Sequence, residues 1–381
     1  MIIATLKEIK DNENRVGLTP SGVKELKKFG HHIIVQKKAG EGAGFSDSEY
    51  LEAGCELMDE PLEIVQKADI VVKVKEPLSQ EYSLLDNMIG KTLFTYLHLS
   101  GVDPKLTIKL MENSITAIAY ETVEDENGKL PLLAPMSDIA GVLAIQYGAE
   151  YLQKKYHGRG ITLGDICNTE PANIVIVGAG HVGIKAAKTA GGMGSKVILF
   201  DVNEKVIEKA KEELSEYLGP NLSKNVRVIK NEENIFIEAI KNADLLIGAV
   251  LVAGTKAPEV VKEHHIKLMK KGSVIVDVSI DQGGCIWGSR ATSHSHPIYE
   301  IDGKIYCCVA NMPGQVARQS TQALTNATLP YLLKMANQGI IQSLHQDYRF
   351  ARGLNTYQGN ITYESVAKDL QMEDKFIPQN S

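Results

Sequence analysis

The stretch NIVIVGAGHVGIKAAKTAGGMGSKVILFD, Asn173 to Asp201, decides the fold. Ile174 to Val177 is a β-branched run of the kind that forms a buried parallel strand. It ends at Gly178. The motif Gly178-Ala-Gly180-His-Val-Gly183 then opens a helix carried by Ile184, Ala186, Ala187 and Ala190, and Val197 to Phe200 forms a second strand ending at Asp201. That is one βαβ unit.

Each residue type has a physical reason. Gly178 permits a tight turn, Gly180 lets backbone approach a pyrophosphate, and Gly183 lets the helix pack closely on the strand. The free N–H groups and positive dipole at the helix N-terminus favour phosphate charge. An acid about 20 positions on, here Asp201, accepts hydrogen bonds from ribose hydroxyls and repels a 2′-phosphate. The stretch therefore predicts a dinucleotide site that prefers NAD to NADP.

The chain has 381 residues, 44% of them hydrophobic, enough for two domains with cores of their own. A formal net charge of -6 and the absence of a basic block argue against nucleic acid and for a small-molecule partner. No apolar run approaches a membrane span, and Lys7, Glu8 and Lys10 interrupt any signal-peptide core, so a soluble cytoplasmic protein is expected. Cys55, Cys167, Cys285, Cys307 and Cys308 show no CxxC spacing and are expected as reduced thiols. His294 and His296 share a face of an extended segment without a third ligand nearby, so no metal is expected.

Upstream of residue 135, strand-like runs recur at Ile2 to Leu6, His32 to Gln36, Ile70 to Lys75, Thr92 to Leu97 and Ile115 to Tyr120. Helical patterns lie between several of them, among them Pro20 to Phe29 and Pro104 to Glu112. After Asp201 come a charged helix, Glu204 to Leu218, and strands at Val226 to Ile229, Asp244 to Val250 and Ser273 to Ser279. Val316 to Ala336 reads as helix, and the polar remainder shows no further βαβ unit. The pattern predicts an α/β protein of two doubly wound domains. A Rossmann NAD-binding domain, residues 136–309, is inserted into a flavodoxin-like or Rossmann-like substrate domain built from 1–135 plus 310–381. Tandem domains with a helical tail are the alternative. The crevice between the domains is the default ligand site.

In open α/β sheets ligands bind beyond the carboxyl ends of strands, which directs attention to charged residues there. Arg15 follows the first strand, Lys75 ends ADIVVKVK, His98 follows TLFTYL and Asp281 follows SVIVDVSI. Arg15 suits a carboxylate and has Glu13 and Asn14 to position it; Lys75 suits a carboxylate or a carbonyl oxygen. His98 is a natural proton donor and acceptor. By residue type alone, Arg15 and Lys75 are as readable as surface charges, His98 is more commonly a core histidine, and Asp281 could merely start the Asp-Gln-Gly-Gly turn; placement raises all four.

RVGLTP, KVKEP, TYLHLS, LAPMSDIAG, the glycine fingerprint, GAVLVAGTKAP, DVSIDQGG, SRATSH and VANMPG span almost the whole chain. In order, they resemble the motifs of the alanine dehydrogenase/pyridine nucleotide transhydrogenase family, and of its alanine dehydrogenases in particular. The resemblance implies NAD-dependent oxidative deamination of L-alanine to pyruvate and ammonia, and the reverse reductive amination. It places substrate binding on Arg15 and Lys75, acid/base work on His98 and the catalytic aspartate on Asp281. NAD contacts fall on Ser137, Gly178, Gly180, His181, Val182, Gly183, Asp201, Ala249, Leu251, Asn311 and Met312. A homo-oligomer, usually a hexamer, is implied too. The rivals are a hydride-relay subunit of proton-translocating transhydrogenase, a non-catalytic NAD-dependent binding protein, disfavoured because all four ionisable groups are present, and a related dehydrogenase for a larger amino acid. The polar GDICNTEPAN, Trp287, His181 and His296 depart from the family pattern.

Overall fold

The computed structural model describes residues 1–250 and 257–379. It divides into two compact units, Met1–Met136 with Gly314–Ser381, and Ser137–Pro313, so the second interrupts the first in the chain. Six strands come first: β1 (Ile2–Thr5), β2 (His32–Gln36), β3 (Glu56–Met58), β4 (Ile70–Val72), β5 (Thr92–Thr95) and β6 (Thr116–Ala119). The interrupting unit holds β7 (Asn173–Val177), β8 (Lys196–Asp201), β9 (Val226–Lys230), β10 (Leu245–Gly248), β11 (Val274–Asp277), β12 (Ile298–Ile301) and β13 (Lys304–Cys307). A hairpin of β14 (Leu354–Tyr357) and β15 (Asn360–Ile361) follows.

The sheet of the first unit runs β3-β2-β1-β4-β5-β6-β14-β15, parallel as far as β6 and antiparallel in the hairpin. That of the second runs β9-β8-β7-β10-β11-β13-β12, with only β12 antiparallel. Both therefore contain six parallel strands in the 3-2-1-4-5-6 Rossmann order. The order reverses between β1 and β4 in one and between β7 and β10 in the other. Such switch points open a crevice at the carboxyl ends of the strands.

The inner strands are apolar because both of their faces are covered. Ile70, Val71 and Val72 are at most 1% exposed, and burying each such side chain stabilises by roughly 1.5–3 kcal/mol. Register aligns Ala4 with Ile34 on one side and Val71 on the other. The LTP segment starts the helix Pro20–Lys28: Thr19 accepts the Gly22 N–H at 3.2 Å and proline takes the first helical position.

Several elements differ from the sequence expectation. β11 stops at Asp277 because its carboxylate takes the Ser279 N–H and starts a 3₁₀ turn, Val278–Gln282. β4 stops at Val72, before Lys75. The helix Glu204–Leu222 runs past the expected end, but it breaks at Gly219 (φ 66°, ψ 178°) ahead of Pro220, so its first regular segment ends at Leu218 as expected. Three-residue β3 and the C-terminal hairpin were not expected; the hairpin adds antiparallel strands, which a search for βαβ units does not see.

Candidate active site

In the first unit, the loops leaving β1, β4 and β5 bear Arg15, Lys75 and His98, and β1 and β4 flank the switch point. Arg15 is 2% exposed. Its Nε donates to Glu13 Oε1 at 2.7 Å and its Nη2 to Oε2 at 2.5 Å, a bidentate pair, while Nη1 meets Met136 Sδ at 3.0 Å. Burial pushes the guanidinium pKa down, but Glu13 more than offsets it, so the charge is held. Glu13 thus occupies one edge of the fork that would otherwise be offered whole to a ligand.

Lys75 is half-buried, and its carbonyl accepts from Thr95 Oγ1 at 3.1 Å. Two residues earlier stands Lys73, 2% exposed, whose Nζ donates to Glu8 Oε2 at 3.1 Å and Glu81 Oε1 at 2.8 Å. Burial lowers its pKa, yet the two carboxylates raise it further, leaving a net upward shift. Burial pushes the Glu8 carboxyl up despite Lys73. Glu76 is 5% exposed; burial raises its pKa, but Lys75 and Lys10 outweigh this and leave it lowered. Its Oε1 takes Lys10 Nζ at 2.6 Å, and its Oε2 has no hydrogen-bond partner among the described residues.

His98 has a left-handed backbone, φ 48° and ψ 37°, uncommon for a residue with a side chain. Glu121 compensates: Oε1 accepts the His98 N–H at 2.6 Å and the Leu97 N–H at 3.2 Å, and lies 3.7 Å from His98 Nδ1. The imidazole stacks parallel on Tyr96, centroids 5.6 Å apart, with its side chain 40% exposed. A rigidly carried yet accessible imidazole suits proton transfer.

In the second unit Gly178 has φ +102°, and a Cβ there would lie 2.5 Å from the Ala249 carbonyl oxygen. A Cβ on Gly183 would fall 1.8 Å from the Gly178 oxygen, whereas one on Gly180 meets nothing within 4 Å among the described residues. The first and third glycines serve the turn and the packing. The second leaves backbone open beside the start of the helix His181–Gly192. Asp201 Oδ2 accepts the Ala179 N–H at 2.8 Å and Oδ1 that of Asn203 at 2.9 Å, so the carboxylate is fixed against the loop. These residues fit a dinucleotide: open N–H groups for phosphate and an oriented acid for ribose. His181 is exposed, Val182 and Ser137 are half-buried, and Ala249 donates its N–H to Val177 O at 2.8 Å. Leu251 lies outside the described residues.

Asp281 is exposed on the 3₁₀ turn, and its Oδ1 accepts the N–H of Asn311 at 3.3 Å. Asn311 has φ +57°, and Met312 beside it is 3% exposed. Four residues before Asp281, Asp277 is wholly buried, and its Oδ2 takes the N–H groups of Cys285 and Ile286 at 2.8 and 3.0 Å and Ser289 Oγ at 2.7 Å. Burial pushes its pKa up against those donors. Asp277 folds the loop that presents Asp281.

His294 Nε2 lies 3.4 Å from the carbonyl oxygen of Asn311, a hydrogen-bonding place within a loop. Among the described residues, Glu233, His264 and His265 come within metal-ligand reach of one another. His265 Nδ1, however, accepts the Lys262 N–H at 3.1 Å, so in the neutral ring Nε2 carries the proton and points at Glu233, 3.0 Å away. His265 thus serves as a helix cap tied to a carboxylate.

Glu8, Lys73, Glu81, Glu121 and Asp277 were not singled out from sequence. A signal existed for two of them: Lys73 in IVVKVK and Asp277 in VIVDVS are charged letters inside apolar runs, and a buried charge needs partners.

The family models for the N-terminal and C-terminal domains of alanine dehydrogenase/PNT match residues 4–140 and 144–364. The chain belongs to the alanine dehydrogenase/PNT family. It is 47% identical over 369 residues to an alanine dehydrogenase of Methanococcus maripaludis, covering 97% of this chain and 96% of that one. To the alanine dehydrogenase of Bacillus subtilis it is 46% identical, covering 99% and 96%. A solved L-alanine dehydrogenase aligns with a TM-score of 0.90 at 44% identity, over 97% of this chain and 99% of that one. A transhydrogenase from Sinorhizobium meliloti aligns at 0.78 and 24% identity over 95% and 99%, a likeness of fold. As a member of the alanine dehydrogenase/PNT family, the chain is an oxidoreductase that uses a pyridine nucleotide. Among the described residues no helix is long and apolar enough to cross a membrane.

Proposed function

We propose that this chain catalyses the reversible oxidative deamination of L-alanine to pyruvate and ammonia, with NAD as hydride acceptor. The observation that carries the reading is the delivery of Arg15, Lys75 and His98 by the loops leaving β1, β4 and β5 of a single sheet. Arg15 would fix the substrate carboxylate, and Lys75 the oxygen at C2 of pyruvate. The nicotinamide supplies or removes the hydride at C2. In the amination direction ammonia adds to C2, and His98 shuttles the protons that release water from the carbinolamine and leave the iminium ion. Asp281 would stabilise the positive charge on nitrogen. The backbone at Gly180 and the start of the following helix would hold the pyrophosphate. Ser137, His181, Val182, Ala249, Leu251, Asn311 and Met312 would complete the cofactor contacts.

NAD rather than NADP follows from Asp201, whose carboxylate would repel a 2′-phosphate. The reading carries with it a cytoplasmic homo-oligomer, as a hexamer, checked by light scattering on the purified protein. The deciding assay follows NADH formation by the purified chain alone with L-alanine, with larger amino acids, and with NADP in place of NAD. Alanine with NAD is expected to give the fastest turnover. No turnover of any amino acid by the folded, NADH-binding protein would leave the hydride-relay reading in its place.

A further inference from the structure

The loop that carries Arg15 is tied to the loop that carries Lys75 on both sides of Lys75. Before it, Glu8 Oε1 accepts the Val74 N–H at 2.6 Å and faces the Lys75 N–H at 3.4 Å. After it, Lys10 Nζ reaches across to Glu76 Oε1 at 2.6 Å. The other oxygen of Glu8 is held by Lys73, which is held in turn by Glu81, and Glu81 Oε2 accepts the Leu78 N–H at 2.9 Å where this loop ends. Tyr120 closes the base with a hydrogen bond to Lys73 O at 3.0 Å. Glu8 and Lys73 are both 2% exposed in their side chains.

We infer that Glu8, Lys73 and the Lys10–Glu76 pair are positioning residues that set the spacing of Lys75 from Arg15, and with it the fit of a short 2-oxoacid. The inference rests on the reading that those two cations bind the oxoacid. A buried ion cluster is a poor device for stability alone, since desolvation cancels much of its attraction. It is a good device for geometry, because Glu8 and Glu81 are each fixed by a cation and a backbone N–H together, while Glu76 is tied by the Lys10 cation. An oxoacid held by two cations through a carboxylate and an adjacent oxygen has little slack, and small misplacement of a binding group is costly.

The test compares pyruvate KM, kcat and NADH affinity in Glu8→Gln, Lys10→Met and Lys10→Arg, with Lys75→Ala and Thr356→Val alongside. Thr356 Oγ1 donates to Ile115 O in a buried part of the same sheet, so its valine variant reports general loosening. Pyruvate KM is expected to rise on the order of tenfold in Glu8→Gln and about threefold in Lys10→Met, with kcat within about threefold and NADH affinity unchanged. Lys10→Arg is expected to restore KM, and Thr356→Val to lower the melting temperature without moving it. If Glu8→Gln does not fold, Lys10→Met decides, since that side chain is 37% exposed and its loss spares the core. Unchanged KM in the tie variants while Lys75→Ala raises it, or an equal rise in Thr356→Val, overturns the inference. Unchanged KM in Lys75→Ala as well overturns the underlying assignment of the site.

Discussion

The two units hold their functional groups by different means. In the first, side-chain cations are answered by carboxylates: Arg15 by Glu13, Lys73 by Glu8 and Glu81, Lys10 by Glu76. In the second, the carboxylates Asp201 and Asp277 are answered by backbone N–H groups, and the glycine loop offers backbone alone. The contrast follows from the ligands each would take. A short oxoacid is mostly charge, and charge is read by side chains whose direction must be imposed. A dinucleotide is long and carries a diphosphate, which helix-terminal N–H groups bind wherever the chain can come close enough. The first unit should therefore be fragile to isosteric removal of charge, and the second to added volume.

The largest effect is expected at the imidazole. His98→Ala should lower turnover by about 10²–10⁴, the range for a lost acid/base group, with NADH affinity within about twofold. Turnover at the normal rate would return His98 to a structural role. Next comes volume: Gly183→Ala puts a methyl 1.8 Å from the Gly178 oxygen and should abolish NADH binding or unfold the second unit. Gly180→Ala sharpens the contrast, because its methyl meets nothing within 4 Å among the described residues; fluorescence titration should show weaker NADH binding, with the melting temperature within about 2 °C. Equal thermal losses in both variants would erase the distinction between packing and ligand approach.

Lys75→Ala removes a charge-assisted hydrogen bond of about 1.5–3 kcal/mol, so pyruvate binding to the NADH complex should weaken roughly ten- to a hundredfold. Lys75→Arg should not rescue it, since a planar fork does not replace a point charge at one oxygen. Normal binding in both variants would contradict the claim that charge governs the first unit. The smallest effect is expected at Asp201→Ser, which should narrow the preference for NAD over NADP by about tenfold as repulsion is lost. Equal use of both cofactors by the unaltered protein would refute the role given to Asp201.

What sequence made legible was local. The βαβ unit around Gly178 lies in one continuous stretch, where strand, turn, helix and acid each have a position. The loops bearing Arg15, Lys75 and His98 were readable as such because each follows an apolar run. The supporting carboxylates were not, because their partners are remote: Glu8 lies 65 residues from Lys73, and Glu121 lies 23 from His98. The left-handed backbone at His98 leaves no trace in composition. Nor does the C-terminal hairpin, whose two short polar strands earn their place only through the edge that they cover.

That hairpin has a consequence for synthesis. Leu354 pairs with Ile118, while every strand of the interrupting unit lies between Asn173 and Cys307. On a ribosome adding roughly 5–20 residues per second, the outer edge of β6 waits on the order of ten to fifty seconds for its neighbour, during which the whole intervening sheet emerges. An uncovered strand edge is a template for wrong pairing. The nascent chain thus passes through a stage in which its later-made middle can be finished while its earlier-made beginning is still open, and it is then that a chaperone would have most to do.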